Sequence, residues 1–435
     1  MKKKLLICLL PLFSFSQGYT SYFTGNTSNI TTTPEFGVCM MGGATEHDNA
    51  MRWLLQKANG GDVVVLRSSG SNGYNDYLYS ELGVNVNSVE TLVITSVAGA
   101  TSPYVLDKVA NAEMIWFAGG DQWNYVSYFK DNALEDLLNN HINVKHAPIG
   151  GTSAGMAILG GYYFSAKNGS ITSAQALNNP YAANVTIGGF TGTPNRDFLK
   201  VPFLGNVITD THYDNPDRRG RHTAFIARIM TDYTPQAFGI ACNEYVAVCY
   251  GADGKAHVYG DYPNYEEFAY FIGPNCFWFV PSPYCMASQP LSWNSIMVYK
   301  VPGTMNGTNY FDLTDGWNYS TNPQLSGGSW ETWNVNNGVF STASGGGPSI
   351  SCMLGVGESE VNNFIVIPNP FSNFIQLENA ENATVEIYDS LGKSVFAVEN
   401  LISKTIPTSN FSNGLYFVKI EKGGGVIETK KMIKN

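Results

Sequence analysis

Residues 145–159 read Lys145-His-Ala-Pro-Ile-Gly-Gly-Thr-Ser-Ala-Gly-Met-Ala-Ile-Leu159. An apolar run at 147–149 ends in two glycines, and small and apolar residues resume at helical spacing after Ser153, which predicts a strand, a tight turn and a helix. Gly151-Thr-Ser-Ala-Gly155 fits the G-x-S-x-G pattern, in which a strained turn exposes a serine hydroxyl. Its glycines avoid collisions between a Cβ and the neighbouring elements. The amide of Ala154 can then point at an oxyanion.

The pattern occurs in many α/β turns, so the rest of the chain has to identify the site. Apolar strands are expected at 37–41, 62–66, 90–95 and 113–118, and helical patterns span 46–58 and 133–142. Buried strands that alternate with helices predict an α/β fold, with a parallel sheet covered on both faces. Reactive groups gather at the carboxyl ends of such strands, where Gly42-Gly43, Gly119-Gly120 and Ser153 stand.

Downstream of residue 160 the regular patterns are shorter. A strand is expected at 205–210 and a helix at about 223–232. A hairpin is predicted with strands at 238–249 and 256–259, turning at Asp253-Gly254. The stretch 319–351 is rich in Gly, Ser, Asn and Trp, which predicts irregular structure or a linker.

The chain of 435 residues carries a net charge of −10 and opens with a basic, then apolar segment. That opening predicts a signal peptide at 1–16, with cleavage after Ser16. The acidic balance gives no indication of a nucleic-acid partner. Since no C-x-x-C or histidine cluster stands at ligand spacing, neither a metal nor another cofactor is expected.

The last eighty residues change to short alternating strands, which predict a small antiparallel β-sandwich. Four motifs stand there in order: Val366-Ile-Pro-Asn-Pro-Phe371, Tyr388-Asp-Ser-Leu-Gly-Lys393, Gly414-Leu-Tyr-Phe-Val-Lys419 and Lys430-Lys-Met-Ile-Lys434. This stretch resembles the C-terminal sorting domain of type IX-secreted proteins of Bacteroidetes. The resemblance implies the type IX machinery as a partner, passage through the periplasm and outer membrane, and a secreted or surface location.

A nucleophilic serine needs a base, and His212 ends an apolar strand where it could reach Ser153. A surface-loop histidine is the alternative. Four motifs weigh on this choice: Phe117-Ala-Gly-Gly-Asp-Gln122, Gly150-Gly-Thr-Ser-Ala-Gly155, Asp210-Thr-His-Tyr213 with Arg219-Gly-Arg221, and Gly239-Ile-Ala-Cys-Asn-Glu244. In that order they resemble the cyanophycinase and dipeptidase E family of serine peptidases, over about 37–301. The resemblance implies a class I glutamine-amidotransferase-like fold.

The same resemblance implies a role for each matching residue. Ser153 is expected to be the nucleophile and His212 its general base. The amides of Gly120 and Ala154 would donate to the oxyanion. Five side chains would contact the substrate: Asp121, Gln122, Asp210, Arg219 and Arg221. Guanidinium groups suit the planar carboxylate of an aspartyl substrate, although a solvated helix start would also explain these arginines.

The acid that orients the histidine stays open at this point. No Asp or Glu occurs between Ser153 and Asp197. Glu244 matches the acidic position of the family's Gly-Ile-x-x-Glu strand and is the candidate, while a carboxylate on a hairpin edge is its structural alternative. Asp210, two residues before His212, is the rival because strand alternation would place it on the same side.

Three departures from the family pattern bear on the substrate. Thr211 replaces the glutamine of the usual Asp-Gln-His, Ala224 replaces a third arginine, and Asp214-Asn-Pro-Asp217 looks like an insertion. The substrate is therefore expected to be a peptide or a cyanophycin-like polymer, with an aspartyl or β-aspartyl-arginine bond cleaved through an acyl-enzyme on Ser153. The expected domains are a catalytic domain at 17–350, a linker at 351–361 and a sorting domain at 362–435. A homodimer is one assembly that the sequence leaves open.

Two other functions compete with this one. An α/β-hydrolase-type esterase shares G-x-S-x-G, but it places its acid before its histidine in the chain, whereas His212 precedes Glu244. A non-catalytic surface-binding protein would use aromatic loops, with Trp317, Trp330 and Trp333 as polymer contacts.

Overall fold

The computed structural model describes residues 17–189, 197–234, 236–274, 283–314, 317, 325–345, 364–422 and 426–435. The predicted signal peptide at 1–16 and the predicted linker at 351–361 lie outside the described residues. The chain divides into two compact units, Met1–Cys352 and Met353–Asn435, named the first and second unit below. Among the described residues, no helix has the length and apolar character needed to cross a membrane.

Strands and helices alternate through the first half of the first unit. Its described strands are β1 (Tyr19–Gly25), β2 (Val38–Met41), β3 (Asp62–Arg67), β4 (Ser88–Ile94), β5 (Met114–Phe117), β6 (Ile149–Thr152), β7 (Tyr163–Phe164), β8 (Ile187–Gly188), β9 (Val207–Asp210), β10 (Phe238–Cys242), β11 (Ala247–Tyr250), β12 (Lys255–Tyr259), β13 (Phe268–Gly273), β14 (Trp293–Pro302), β15 (Asn309–Asp312), β16 (Ser329–Asn336) and β17 (Val339–Ser344). Its described helices are α1 (Asp48–Gln56), α2 (Val97–Ala100), α3 (Pro103–Asn111), α4 (Gln122–Phe129), α5 (Ala133–Asn143), α6 (Ala154–Ala157), α7 (Ser173–Asn178) and α8 (Arg219–Asp232), with a π-helical turn at Tyr77–Glu81.

The first sheet has nine strands in the order β1-β4-β3-β5-β6-β2-β11-β12-β15. Its centre, from β4 to β2, is parallel, and the strands on both sides of that centre pair antiparallel. Neighbouring residues of β3 belong to different cores: Val63 and Val65 pack with α1, while Val64 and Leu66 pack with α3, α4 and α5. The predicted α/β fold is confirmed, since helices cover both faces of the parallel centre. The sheet as a whole is mixed.

A second sheet, which the sequence did not predict, has the order β17-β16-β14-β13-β10-β9. Only its β9–β10 pair is parallel. The single hairpin strand predicted at 238–249 is wrong, because this stretch divides into β10 in the second sheet and β11 in the first. The antiparallel pairing predicted with 256–259 is confirmed for β11, which pairs with β12. Asn243, Glu244 and Tyr245 form the crossing, where Tyr245 takes a φ of 65° that ends the extended backbone. Glu244 thus lies between the two sheets.

The irregular structure predicted at 319–351 is also wrong in its described part, where β16 and β17 form a hairpin. Its turn is Asn337-Gly338, with φ values of 47° and 79°, which is the pair that two-residue hairpin turns favour. Trp333 is fully buried there. Trp317 is partly buried and stacks on Phe238 at 4.4 Å, so the rings of Trp333 and Trp317 both pack against the core.

The second unit is rich in β-strands, as predicted. Its described strands are β18 (Ile365–Ile367), β19 (Phe374–Glu378), β20 (Thr384–Asp389), β21 (Ser394–Val398), β22 (Thr405–Pro407), β23 (Gly414–Lys422) and β24 (Val426–Lys434). They form two sheets, β18-β19-β22 and β21-β20-β23-β24. Val366 and Ile375 of one sheet and Val385 and Val418 of the other share one apolar core. A private core is what an independently folding unit requires.

The lowered pKa values of two buried histidines let us predict how the stability of the first unit depends on pH. Burial lowers the pKa of His222 and of His141 from the ordinary 6.5 to about 4. An unfolded chain takes up these protons near pH 6.5 and the folded chain only near 4, so stability is full above 6.5 and falls as the pH drops between the two values. We expect roughly 2 to 3 kcal/mol of lost unfolding free energy for each histidine at pH 4.

The measurement is denaturant unfolding at pH 7 and at pH 4.5, with His222→Gln compared against the unchanged chain. The ring nitrogens of His222 lie 3.1 Å from the Tyr213 hydroxyl and 3.1 Å from the Ile208 carbonyl oxygen, contacts that a glutamine amide can partly replace. The variant should lose less stability on acidification than the unchanged chain. Equal losses in both proteins would show that His222 takes up no proton on unfolding.

Candidate active site

Ser153 stands in the turn between β6 and α6, and its backbone is strained. Its φ is 51° and its ψ is −114°, in a region that residues with a side chain rarely adopt. A Cβ added at Gly151 would lie 2.6 Å from the carbonyl carbon of Gly155, and one added at Gly155 would lie 2.2 Å from the Phe117 oxygen. Both glycines are therefore required by close backbone approach. The helix predicted after the serine is present as α6, which has four residues.

His212 lies within hydrogen-bond distance of the Ser153 hydroxyl group. Its Nε2 lies 2.8 Å from the Ser153 hydroxyl oxygen, and its amide donates to the Gly42 carbonyl oxygen at 2.8 Å. The ring rests on Gly43, since a Cβ at that glycine would lie 2.4 Å from ring atoms. The loop after β2 thus sets the height of the imidazole above the sheet.

Glu244 lies on the other side of the same ring. Its Oε1 is 2.6 Å from His212 Nδ1, so Nδ1–H donates to the carboxylate and Nε2 is left to accept a proton from Ser153. The hydrogen bond from His212 lowers the pKa of Glu244, and burial opposes it only in part. Asp214 accepts from the Glu244 amide at 2.9 Å, and the Asn215 amide donates to Oε2 at 3.4 Å. These two supports lie in the segment that the sequence marks as an insertion, so their role was missed.

Asp210, the rival acid, is turned away from His212. Its carboxylate accepts from Arg221 Nε at 2.8 Å and from Nη2 at 2.5 Å, and also from the Thr211 amide at 2.9 Å. Burial raises the pKa of Asp210, but the larger opposing effect of the Arg221 guanidinium holds the pKa of this carboxyl below its usual 3.8. Strand alternation fails as a guide here because β9 ends at Asp210, and His212 takes a φ of 47°.

The predicted substrate contacts divide into buried and accessible groups. Arg221 is only 4% exposed, and its remaining nitrogen donates to Ser170 Oγ at 3.3 Å and to the Ile171 oxygen at 3.4 Å. Asp210 and Arg221 thus satisfy each other inside the unit, and neither presents a free group to a ligand. Arg219 is half-exposed and pairs with Asp217.

The Gly119-Gly120 turn follows β5, the neighbour of β6 in the sheet. A Cβ on Gly119 would lie 3.6 Å from the Cβ of Ser153, which places this turn beside the serine. Gly120 is exposed and has a φ of 151°. Asp121 accepts from the Trp123 amide at 2.9 Å as the N-cap of α4, and Gln122 donates to the Phe164 carbonyl oxygen at 3.4 Å. Both polar side chains are partly engaged in local hydrogen bonds.

Gly43→Ala is expected to displace the His212 ring and lower kcat/KM by on the order of 10²-fold, since a misplacement of about 1 Å can cost that much. The measurement is hydrolysis of an aspartyl dipeptide. Gly83→Ala is the matched control: its φ of 69° also strains an alanine, but no heavy atom lies within 4 Å of the added Cβ. Equal activity losses in the two variants would show that backbone strain, and not the displaced ring, is responsible.

The fold and this geometry define an α/β protein in which a serine, a histidine and a glutamate form one chain of hydrogen bonds. Residues 365–435 match the family model of the secretion system C-terminal sorting domain. This match indicates that the chain is exported, to the cell surface or the medium.

Among characterised proteins, the chain is similar to the cyanophycinase of Synechococcus elongatus, with 24% identity over 238 residues, and to that of Trichormus variabilis, with 21% over 226 residues. Each alignment covers 51% of this chain and 65% of the relative, so the chain spans less than two thirds of these relatives. The resemblance to cyanophycinases stated from the motifs is confirmed as sequence similarity.

Two solved structures are also similar. A peptidase from an acI-B1 Actinobacterium shares 14% identity at a TM-score of 0.38, covering 53% of this chain and 89% of its own. A putative peptidase E protein from Listeria monocytogenes shares 15% at a TM-score of 0.32, covering 52% and 98%. At such scores, the description of the fold rests on the observed strand order.

Proposed function

We propose that this chain is a secreted serine peptidase of cyanophycinase type, which hydrolyses aspartyl or β-aspartyl-arginine peptide bonds through an acyl-enzyme on Ser153. The observation that carries the proposal is the hydrogen-bonded chain Ser153–His212–Glu244, with distances of 2.8 and 2.6 Å. We assign the first unit to the class I glutamine-amidotransferase-like folds, and we propose that the type IX machinery exports the chain.

Acylation follows from the positions of these groups. The Ser153 oxygen attacks the scissile carbonyl carbon as its proton passes to His212 Nε2. Glu244 stabilises the imidazolium through Nδ1–H, and the amides of Gly120 and Ala154 donate to the oxyanion. Ala154 opens α6, so its amide has no acceptor within that helix. When the tetrahedral intermediate collapses, the C–N bond breaks and the leaving amine takes the proton from Nε2.

Deacylation uses the same groups in reverse. A water molecule gives its proton to His212 Nε2 and its oxygen attacks the acyl carbon. The ester bond to Ser153 then breaks, the serine oxygen recovers the proton, and an aspartyl acid leaves. The esterase alternative would use the same steps, but its chain order of acid before histidine is not the order found here.

Mature full-length protein incubated with cyanophycin, β-aspartyl-arginine and a panel of α-aspartyl dipeptides tests this function. We expect release of free amino acids or of β-aspartyl-arginine, and labelling of Ser153 by a serine-directed phosphonofluoridate. Ester hydrolysis without peptide hydrolysis would favour the esterase. A chain that is neither labelled nor active would favour a non-catalytic binding protein.

Removing residues 358–435 is expected to block passage through the outer membrane and to leave catalysis unchanged, because the second unit has its own core. The measurement compares the truncated and full chains in periplasm and medium by immunoblot, with activity assayed on protein purified from each fraction. A truncated chain found in the medium at normal levels would contradict the sorting role.

A further inference from the structure

The start of α8 and the helix itself carry four arginines: Arg218, Arg219, Arg221 and Arg228. Three of them bind a carboxylate through the edge of the guanidinium that holds Nε. The fourth, Arg218, does not. Arg218 was not singled out from the sequence, because the motif used there contains only Arg219 and Arg221.

The pairing of the other arginines is consistent. Arg219 binds Asp217 through Nε at 2.9 Å and Nη2 at 2.7 Å. Arg221 binds Asp210 through the same two nitrogens. Further along the helix, Arg228 Nε binds Asp232 at 2.8 Å. Two parallel N–H donors on one edge form the fork that matches the two oxygens of a carboxylate.

In Arg218 this edge is vacant. Its Nη1 donates to the Thr211 carbonyl oxygen at 3.0 Å. Its Nε is buried and has no hydrogen-bond partner, and Nη2 makes no hydrogen bond or ion pair to any other described residue. A buried N–H without an acceptor costs free energy, so a ligand that supplies two oxygens would complete the group.

Arg218 is bound to the two residues that flank His212 in the chain. Besides the Thr211 contact, the Arg218 amide donates to the Tyr213 oxygen at 3.0 Å, so Arg218 holds the residues on both sides of His212. Glu244 and Asp214 attract its charge, yet neither forms an ion pair with it. Burial and the nearby Arg221 charge lower the pKa of Arg218, which marks a positive charge that the described carboxylates only partly compensate.

We propose that the Nε–Nη2 edge of Arg218 binds a carboxylate of the substrate and so determines specificity, in place of the internally paired Arg221. This inference rests on the proposed function. An aspartyl peptide offers that chemistry from two sources, the free carboxylate of the aspartyl residue or the C-terminal carboxylate of the leaving residue.

The test measures binding without turnover, by calorimetry on the full chain carrying Ser153→Ala. The probes are β-aspartyl-arginine, its C-terminal amide, and its analogue with a carboxamide on the aspartyl α-carbon. We expect one of the two amides to bind on the order of 10- to 100-fold more weakly than the free peptide, as loss of a charge-assisted fork implies. Adding Arg218→Met should remove that difference, and Arg218→Lys should keep part of it because a charge remains without the fork.

Arg228→Met, on the same helix and paired with Asp232, is the control and should leave the discrimination intact. If Arg218→Met weakens all three peptides equally, Arg218 only supports the His212 loop and the proposal is wrong. Discrimination that survives Arg218→Met in the Ser153→Ala chain, while the chain with Ser153 intact hydrolyses the peptide, overturns the assignment to Arg218 alone. If the Ser153→Ala chain binds no aspartyl peptide and the unchanged chain hydrolyses none, the proposed function is overturned, and this inference with it.

Discussion

Ser153→Ala is expected to lower kcat for an aspartyl peptide by on the order of 10⁵-fold or more, because the nucleophile and the proton transfer are lost together. The fold should not change. The hydroxyl makes its hydrogen bond to His212 at a partly exposed position and fills no core volume. Single-turnover kinetics on the purified full chain, with thermal unfolding measured in parallel, gives both quantities.

The strain at this position makes the experiment informative about the turn as well. An alanine keeps the Cβ at a φ of 51°, so any change in unfolding temperature reports the lost hydrogen bond and not a relieved backbone. Residual hydrolysis within about tenfold of the unchanged chain would exclude Ser153 as the nucleophile.

Glu244→Gln is expected to lower kcat by on the order of 10³-fold or more, with a smaller effect on KM. A neutral amide cannot stabilise the imidazolium, and it can present its N–H₂ to Nδ1, which favours the wrong tautomer of His212. The measurement is steady-state kinetics on an aspartyl dipeptide. The His212 hydrogen bond lowers the pKa of the Glu244 carboxyl, so in the unchanged chain this carboxylate persists to a lower pH than that of an unpaired glutamate.

Asp210→Asn is the matched comparison, since it makes the same change on the other candidate acid. Here the expected effect is on stability: removing one partner of a buried ion pair typically costs about 3 to 5 kcal/mol, and Arg221 is almost fully buried. If Asp210→Asn instead loses activity as steeply at full stability, and Glu244→Gln does not, Asp210 should replace Glu244 as the orienting acid.

The parallel centre of the first sheet could be predicted because buried parallel strands are continuously apolar and each ends in small or polar residues. The stretches at 62–66 and 113–118 carry this signal. The observed strand differs from the first prediction by one residue at its end and from the second by one residue at each end. The turn at Ser153 could be predicted most clearly, because only glycine fits at positions 151 and 155, where the backbone approaches closely. The roles of Ser153, His212 and Glu244 stay predictions that mutants must test.

The second sheet could not be predicted, since antiparallel partners are chosen by contacts between distant segments. Nothing local at 238–249 shows that the chain leaves one sheet for another at Glu244. The pairing of Arg221 with Asp210 is likewise a tertiary contact, made between α8 and the end of β9. The Asn337-Gly338 turn is different, because its hairpin signal is present in the sequence and was hidden by the glycine-rich composition around it.

The division of the site between two sheets has a mechanical consequence. Ser153 follows a strand of the first sheet, while His212 and Glu244 follow the adjacent parallel strands β9 and β10 of the second. The proposed base and acid are therefore carried by neighbouring strands of one sheet, and sliding of one sheet past the other would change the Ser153–His212 distance. Hydrogen bonds between the two regions resist that sliding, among them those from His212 to Gly42, from Tyr245 to Gly43 and from Thr209 Oγ1 to the Met156 carbonyl oxygen. We expect heat or pressure that loosens the contacts between the sheets to separate Ser153 from His212, and so to abolish the proposed activity, while most of the secondary structure is still intact.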